Sequence, residues 1–432
     1  MVLLPAVILF YTVILPPEVR VSLGEQVLFA PRIVGFALLP WILWQLVRGQ
    51  VRFVIWDYLF FVGSFWMVFA FMVYYGPADG VVRGGALAFD YTIPYLMGRV
   101  CFKNTTDLRR FLIMVAPGLI LAGLSMLLEV LASRPLVRPA FASIFGDLSA
   151  FQDGKAIGAR ESFIDRRLGI LRANGPFAHP ILAGVLMASF LPLYFFSGLR
   201  KWPFFAGVTA SFFAVLSASS AAFLGLMIGA GVLMIDWGQR LVTFISWRLI
   251  IPVVGAIMLT LHLLSENGIF ALLGRFTLNP QTAFYRRLIW EYGTRSVYEH
   301  PWFGIGFTSY QRLDWMIASV DNHWLLLAIR FGFIPAVLSV AVVVAGITLL
   351  ALSTRGVDES ERKMRVGIAT ALFAVFILGF TVAFFGGVQT WFYMLIAIAV
   401  SIGTSSAQSP RLVMRRPGPK NGVRPIQHRR TA

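Results

Sequence analysis

Apolar segments close to the length of a bilayer-crossing helix recur along the whole chain, and they constrain the fold more than any other feature. About 20 residues of helix are needed to cross the hydrocarbon core of a bilayer. The chain has 432 residues, of which 58% are hydrophobic and only 13% are charged, so it holds more apolar surface than a water-soluble core could bury. Because a chain in lipid must satisfy its backbone hydrogen bonds internally, the sequence predicts an all-α polytopic membrane protein.

The apolar runs predict about twelve transmembrane helices in a single domain over residues 1–404. Short basic loops separate many of the runs, and the positive-inside tendency puts these loops and both termini in the cytoplasm. This topology sends two long loops, residues 132–175 and 265–322, to the outer face. Residues 405–432 are rich in Pro, Arg and Gly and are predicted to be a disordered basic cytoplasmic tail against anionic lipid.

Composition also limits the partners. The formal charge of +17 comes from basic residues scattered between apolar runs and in the tail, which argues against nucleic acid and favours membrane lipids or a phosphate-bearing substrate. The single cysteine, Cys101, excludes a disulfide framework and a cysteine-based metal site. No phosphate-binding glycine loop, nucleophile elbow or zinc spacing occurs, so neither a metal nor a cofactor is expected.

The segment from Ala283 to Gly332 is polar where nearly everything around it is apolar. It overlaps a long apolar run, Trp324–Leu352, which is predicted to be one span. Within it, Arg286 and Arg287 precede Leu-Ile-Trp, a spacing that on a helix exposes at least one guanidinium beside an apolar face. A guanidinium binds phosphate by a planar pair of hydrogen bonds. The alternative is an amphipathic interfacial helix whose arginines face lipid headgroups.

The first long loop ends in RRLGILRANGPFAHPILAG, which contains Arg172 and His179. The Gly-Pro turn between them could bring backbone donors and the Arg172 guanidinium close to a ligand. Alternatively, Arg172 reaches lipid headgroups. His179 precedes Pro180 at a span entrance, so it could equally cap its own helix.

Asp321, Asn322 and His323 stand at the outer mouth of the span predicted over Trp324–Leu352. Arg330 follows His323 by seven residues, which on one helix puts both on one face about 10 Å apart. An arginine that deep in a bilayer is costly, so this face is expected to line a polar cavity.

Three motifs carry a resemblance: RANGPFAHPILAG, then RRLIW with HPWFGIGF, then VDNHWLLLAIRFGF. In this order they resemble the bacterial O-antigen ligase and O-antigen or exopolysaccharide polymerase (Wzy-type) superfamily. The resemblance implies a GT-C-like, metal-independent, inverting glycosyltransferase of the bacterial inner membrane. It would take a glycan from undecaprenyl diphosphate on the periplasmic face.

By the same resemblance, Arg172 and Arg286 would hold the diphosphate, with Arg287 as a near alternative. We expect Asn322, Arg330 and His179 to support the site. The acceptor would be a lipid-linked chain or lipid A core. The DNHW and HPIL forms look more like the polymerases, so polymerisation of repeat units is expected, with the ligase reaction as the alternative.

The chain departs from the ligase pattern at one point. Ligases of this kind show His-Asn with an acidic residue nine places after the His, whereas Asp321-Asn322 stands on that pair here and Arg330 on the acidic position. His323 is one place late, and Asp321 and His323 both remain candidates for the catalytic base. A polysaccharide or lipid-linked sugar transporter, the alternative of a different class, would need polar groups at mid-membrane and internal repeats; the former are sparse and no repeat is seen.

Overall fold

The computed structural model describes residues 2–23, 26–146, 150–152, 155–157, 166–167, 169–241, 280–354 and 357–405, with the isolated residues 256 and 260. These residues contain fourteen α-helices. They are α1 (Leu4–Val13), α2 (Ala30–Val47), α3 (Ile55–Tyr75), α4 (Pro77–Cys101), α5 (Thr105–Ala132), α6 (Val137–Phe145), α7 (Pro180–Phe196), α8 (Trp202–Phe212), α9 (Ser220–Leu241), α10 (Pro280–Glu299), α11 (His323–Phe331), α12 (Phe333–Leu352), α13 (Glu359–Leu378) and α14 (Gly387–Ser405).

Three antiparallel hairpins complete the described structure, and each has two short strands. They pair β1 (Arg20–Leu23) with β2 (Gln26–Phe29), β3 (Ala150–Gln152) with β4 (Lys155–Ile157), and β5 (Arg166–Arg167) with β6 (Ile170–Leu171). The third hairpin and helices α6 and α10 lie in segments that the sequence predicted as long loops.

Six of the helices, α2, α3, α5, α9, α12 and α14, are long and apolar enough to cross a bilayer. Helices α1, α7 and α8, the last extended by a 3-10 turn over Phe213–Ser217, are apolar but shorter. The chain is thus a polytopic, all-α membrane protein, and the number of about twelve spans stays a prediction. One of the spans that the apolar runs predict, residues 249–264, lies outside the described residues apart from residues 256 and 260, and so does the tail after residue 405.

Helix α14 occupies the centre of the bundle. In the most apolar stretch of 18 residues in each helix, 89% of α14 is buried, compared with 22% of α2. Trp391 stacks on Phe190 with ring centroids 4.6 Å apart, meets Phe10 edge to face at 5.5 Å, and donates its indole N–H to Ser189 over 2.9 Å. A helix that is apolar on all sides is stable in such a core position.

The single span predicted over Trp324–Leu352 is wrong. Helix α11 ends at Phe331, and Gly332, with φ 82° and ψ 175°, turns the chain into α12. A Cβ on Gly332 would lie 2.0 Å from the carbonyl oxygen of Trp302, so this backbone contact requires glycine. Arg330 therefore lies in the last turn of a nine-residue helix outside the six candidate spans.

The HPWFGIGF motif closes the end of α11. Gly306 donates its backbone N–H to the Arg330 carbonyl over 3.1 Å, which satisfies one of the carbonyls that a helix end leaves open. Gly306 has φ 61°, and its missing side chain leaves room for the ring of Tyr75. Phe303 stacks on Trp66 with centroids 5.5 Å apart. The motif is thus a Pro/Gly loop with an aromatic anchor.

Candidate functional site

A buried carboxylate holds the chain that carries Arg172. Glu129, near the end of α5, is fully buried. Its Oε2 accepts the backbone N–H groups of Asn174 and Gly175 over 3.2 and 2.8 Å, and its Oε1 accepts those of Leu136 and Val137 over 3.0 and 3.2 Å. Charged acceptors make the stronger backbone hydrogen bonds. Glu129 is therefore a structural hydrogen-bond partner.

The carbonyl end of the 3-10 turn after α8 orients two arginines. Arg172, which is 5% exposed, donates its Nε–H to the Ser217 carbonyl over 3.2 Å, and Arg167 donates from Nη1 to the Ala218 carbonyl over 3.2 Å. Ala218 has φ 43°, a left-handed conformation that makes the tight turn before α9. Carbonyls at a helix end carry partial negative charge, so they suit guanidinium groups.

Helix α10 supplies the third arginine. Arg286 is half-buried, whereas Arg287 is exposed. The Nε of Arg286 is buried and makes no hydrogen bond to any residue that the structure describes. Of the adjacent pair in RRLIW, Arg286 is therefore the one that faces the protein.

Arg286 is the point at which the two long loops meet. Burial lowers the pKa of its guanidinium, the carboxylate of Asp321 opposes this shift, and the positive charges of Arg167 and Arg172 add to the lowering. Such effects require Asp321, Arg167 and Arg172 each to lie near Arg286. We call Arg167, Arg172, Arg286 and Asp321 the cationic cluster.

Asp321 is the carboxylate that opposes the lowering of the Arg286 pKa. It is partly exposed and accepts the Ser319 hydroxyl at 2.8 Å. Tyr310 lies nearby: it is 3% exposed, and its hydroxyl makes no hydrogen bond within the described part of the chain. Burial, with contributions from Tyr285 and Asp321, raises the pKa of Tyr310 to about 12. Its hydroxyl is therefore a donor at neutral pH.

Asn322 is a structural cap between Asp321 and His323. Its side-chain oxygen accepts the Leu325 N–H over 2.9 Å and caps α11, and its amide donates to the Phe380 carbonyl over 3.1 Å. The two flanking residues consequently point into different surroundings.

His323 lies in an aromatic enclosure and is 1% exposed. Its ring stacks on Phe384 with centroids 4.7 Å apart, and its Nε2 lies 3.1 Å from the Tyr393 hydroxyl. Burial, with a smaller contribution from the charge of Arg330, lowers the pKa of His323 to about 3. The imidazole is therefore neutral at pH 7.

Arg330 and His179 are the remaining residues that the sequence predicted to support the site. Arg330 is half-buried, its guanidinium lies 5.3 Å from the centroid of the Phe307 ring, and burial lowers its pKa. His179 caps α7, because its Nδ1 accepts the Ile181 N–H over 3.2 Å. The capping interpretation of His179 is confirmed, and a further role at the site stays a prediction.

Sequence reasoning missed two members of this region, Arg167 and Tyr310. Arg167 stands in the same RRLGILR segment as Arg172, and hairpin β5–β6 folds that segment back so that both face the turn after α8. Arg167 could have been identified only from the pairing of β5 with β6. Tyr310 carries no signal in the sequence beyond following the HPWFGIGF motif. Within the described residues, no three His, Cys, Asp or Glu side chains gather in a way that could hold a metal ion.

A bundle of apolar helices with a cationic cluster at one end defines a polytopic membrane protein equipped for an anionic ligand. Residues 205–340 match the family model described as O-antigen ligase, which confirms the resemblance seen in the motifs. The matched part includes Arg286, Asp321 and His323, and ends upstream of most of α12. The match supports a membrane glycosyltransferase of the O-antigen ligase or polymerase type. No curated protein matches the chain.

Proposed function

We propose that this protein transfers a glycan from an undecaprenyl-diphosphate-linked donor to an acceptor hydroxyl at the periplasmic face of the bacterial inner membrane. The preferred reaction is polymerisation of O-antigen or exopolysaccharide repeat units. The basic loops at the opposite end of the bundle support this orientation, because short loops rich in Lys and Arg stay in the cytoplasm.

The observation that carries the proposal is that Arg167 and Arg172 from one segment and Asp321 from another all act on the guanidinium of Arg286. Bringing like charges together in a partly buried place is costly, and a bound anion with two or more charges removes that cost. A diphosphate has such charge, and its oxygens match the planar donors of guanidinium groups. The membrane setting indicates that the diphosphate belongs to a lipid.

In the proposed step, the acceptor oxygen forms a bond to the anomeric carbon of the donor sugar while the bond from that carbon to the diphosphate oxygen breaks. The arginines stabilise the negative charge that the leaving undecaprenyl diphosphate gains. Attack opposite the leaving group inverts the anomeric carbon. The hydroxyl proton passes to a base at the site.

Of the two candidate bases, we propose Asp321. Its carboxylate is partly exposed and acts on Arg286, so an acceptor that meets the diphosphate can also meet Asp321. His323 is enclosed by aromatic rings and hydrogen-bonds Tyr393, which suits a positioning residue for α11. Asp321 also stands where the resembling ligases have their His.

The ligase reaction remains the second candidate, because the matching family model is described as O-antigen ligase. The two reactions share the donor and differ in the acceptor. The experiment is transfer by the purified protein in nanodiscs with a lipid-diphosphate-linked repeat unit, offered either alone or with lipid A core. Ladders from the donor alone support polymerisation, and products on lipid A core alone support ligation. As a control, the same donor is offered to a known enzyme of this type. If that enzyme consumes the donor and this protein transfers nothing in either mixture, the proposed function is contradicted.

A further inference from the structure

A second candidate site lies at the other end of the bundle. A cavity of about 660 Å³ opens where the first turn of α1, the end of α2, the end of α4 and the start of α5 come together. It is at the end of α5 opposite Glu129, so it is separate from the cationic cluster. Its volume lies in the range of small-molecule sites in proteins.

The cavity combines an apolar wall with cations. Leu4 and Met114, 52% and 39% exposed, line it and continue onto the outer surface of the bundle. Lys103 and Arg110 also line it. The ammonium group of Lys103 donates to the backbone carbonyl and side-chain oxygen of Gln50, so it is held in place. Arg110 is exposed and makes no hydrogen bond or ion pair with any described residue.

The one carboxylate in the lining is already engaged by the backbone. Asp107 accepts the N–H groups of Lys103 and Asn104 over 3.0 and 3.3 Å, as part of the capping box that begins α5. Both hydrogen bonds use Oδ2, and the two cations, Lys103 and Arg110, outnumber this single carboxylate in the lining. Lys103 and Arg110 remain available to an anion that enters the cavity.

We propose that this cavity binds an anionic phospholipid, with the headgroup phosphate between Lys103 and Arg110 and an acyl chain along Leu4 and Met114. Basic pockets between membrane helices are the usual seats of anionic headgroups. The apolar wall that runs onto the bundle surface favours a lipid over a free phosphate, because it offers a chain the same surface that the surrounding bilayer covers. This site does not depend on the proposed glycosyltransferase activity.

The test uses the full-length protein purified in detergent and stripped of phospholipid. Phosphatidylglycerol, phosphatidylcholine and inorganic phosphate are titrated separately, and the midpoint of thermal unfolding is followed, since a ligand of the folded state raises it. Native mass spectrometry counts bound lipid. The variants are Lys103→Gln/Arg110→Gln, the matched pair Arg200→Gln/Arg362→Gln, which removes two exposed charges elsewhere, and Met114→Trp, which fills the cavity without removing a charge.

Phosphatidylglycerol should raise the wild-type midpoint, and its apparent affinity should fall about tenfold or more in the Lys103/Arg110 variant but not in the Arg200/Arg362 variant. Met114→Trp should also lose the response, which keeps the test decisive if the double variant does not fold. Equal responses of all variants, or an equal effect of phosphatidylcholine, would overturn the proposal. A response to inorganic phosphate as large as that to phosphatidylglycerol would overturn the lipid assignment.

Discussion

Arg99 and Arg286, at opposite ends of the bundle, have different charged surroundings. At the end away from the long loops, Arg99 is 4% exposed and meets the fully buried Asp57 at 2.8 Å, and the Tyr95 hydroxyl donates to the same carboxylate over 2.7 Å. At the end with the long loops, the charged groups that act on Arg286 include two arginines, Arg167 and Arg172, and the carboxylate of Asp321.

The difference indicates that Arg99 has a structural role and that Arg286 binds a ligand. A buried charge with its own carboxylate and further hydrogen bonds is satisfied by the fold. Arg286 is half-buried, and the two arginines that act on it disfavour its charge, so an anion that enters would stabilise it. Mutations at the two ends should therefore affect different properties, either glycan transfer or stability. Four experiments test this contrast.

The largest expected effect is on transfer at the loop end. Asp321→Asn keeps the size of the side chain and its acceptor for Ser319 but removes the charge. If Asp321 is the base, the transfer rate should fall about 10²- to 10⁴-fold while thermal unfolding stays close to wild type. His323→Gln, measured alongside, should retain most transfer. The reverse pattern would assign the base to His323.

At the opposite end the effect should be on stability. Asp57→Ala leaves Arg99 buried without its carboxylate, which should cost about 3–5 kcal/mol of unfolding free energy. Transfer per folded molecule should not change. The double variant Asp57→Leu/Arg99→Met, which removes both charges, should recover much of the stability. A specific loss of donor affinity in Asp57→Ala would show that the two ends do not differ as described.

Arg286→Lys sharpens the comparison further, because it keeps the charge and loses the planar pair of donors. Transfer should fall roughly 10- to 100-fold, the loss of one or two charge-assisted hydrogen bonds. The matched control is Arg287→Lys, since Arg287 is exposed on the adjacent position. Similar activity of both variants and the wild type would remove Arg286 from the donor site.

The smallest effect concerns pH. Because the pKa of His323 in the folded protein is about 3, below the ordinary 6.5, the unfolded chain binds more protons between these values. The contribution to stability is present above pH 6.5 and is lost as the pH falls towards 3. Chemical unfolding in detergent across this range should show the loss in the wild type and a weaker one in His323→Gln. Equal slopes would mean that His323 is accessible to protons in the folded state.

The sequence predicted the fold class well, because apolar runs of spanning length have few alternative structures. It also led to Arg172, Arg286 and Asp321, since polar residues next to such runs stand out. It did not predict the break at Gly332, where a backbone contact with Trp302 decides the conformation. Nor could it distinguish Arg286 from Arg287, because their orientation depends on how α10 packs. Long-range contacts of this kind leave no periodic pattern in a sequence.

The central position of α14 has a consequence for how the protein is made. This helix follows all other described helices in the chain, and it is the most buried of the six candidate spans. It carries buried polar residues, Gln389, Thr390 and Ser401, that fit a protein interior better than lipid. Until α14 is synthesised, the earlier helices therefore lack the helix that packs at the centre of the bundle. Insertion of α14 then completes the packing of the bundle. Mutations that disrupt α14 should therefore leave a protein that is inserted in the membrane but not packed, and that membrane proteases can cleave.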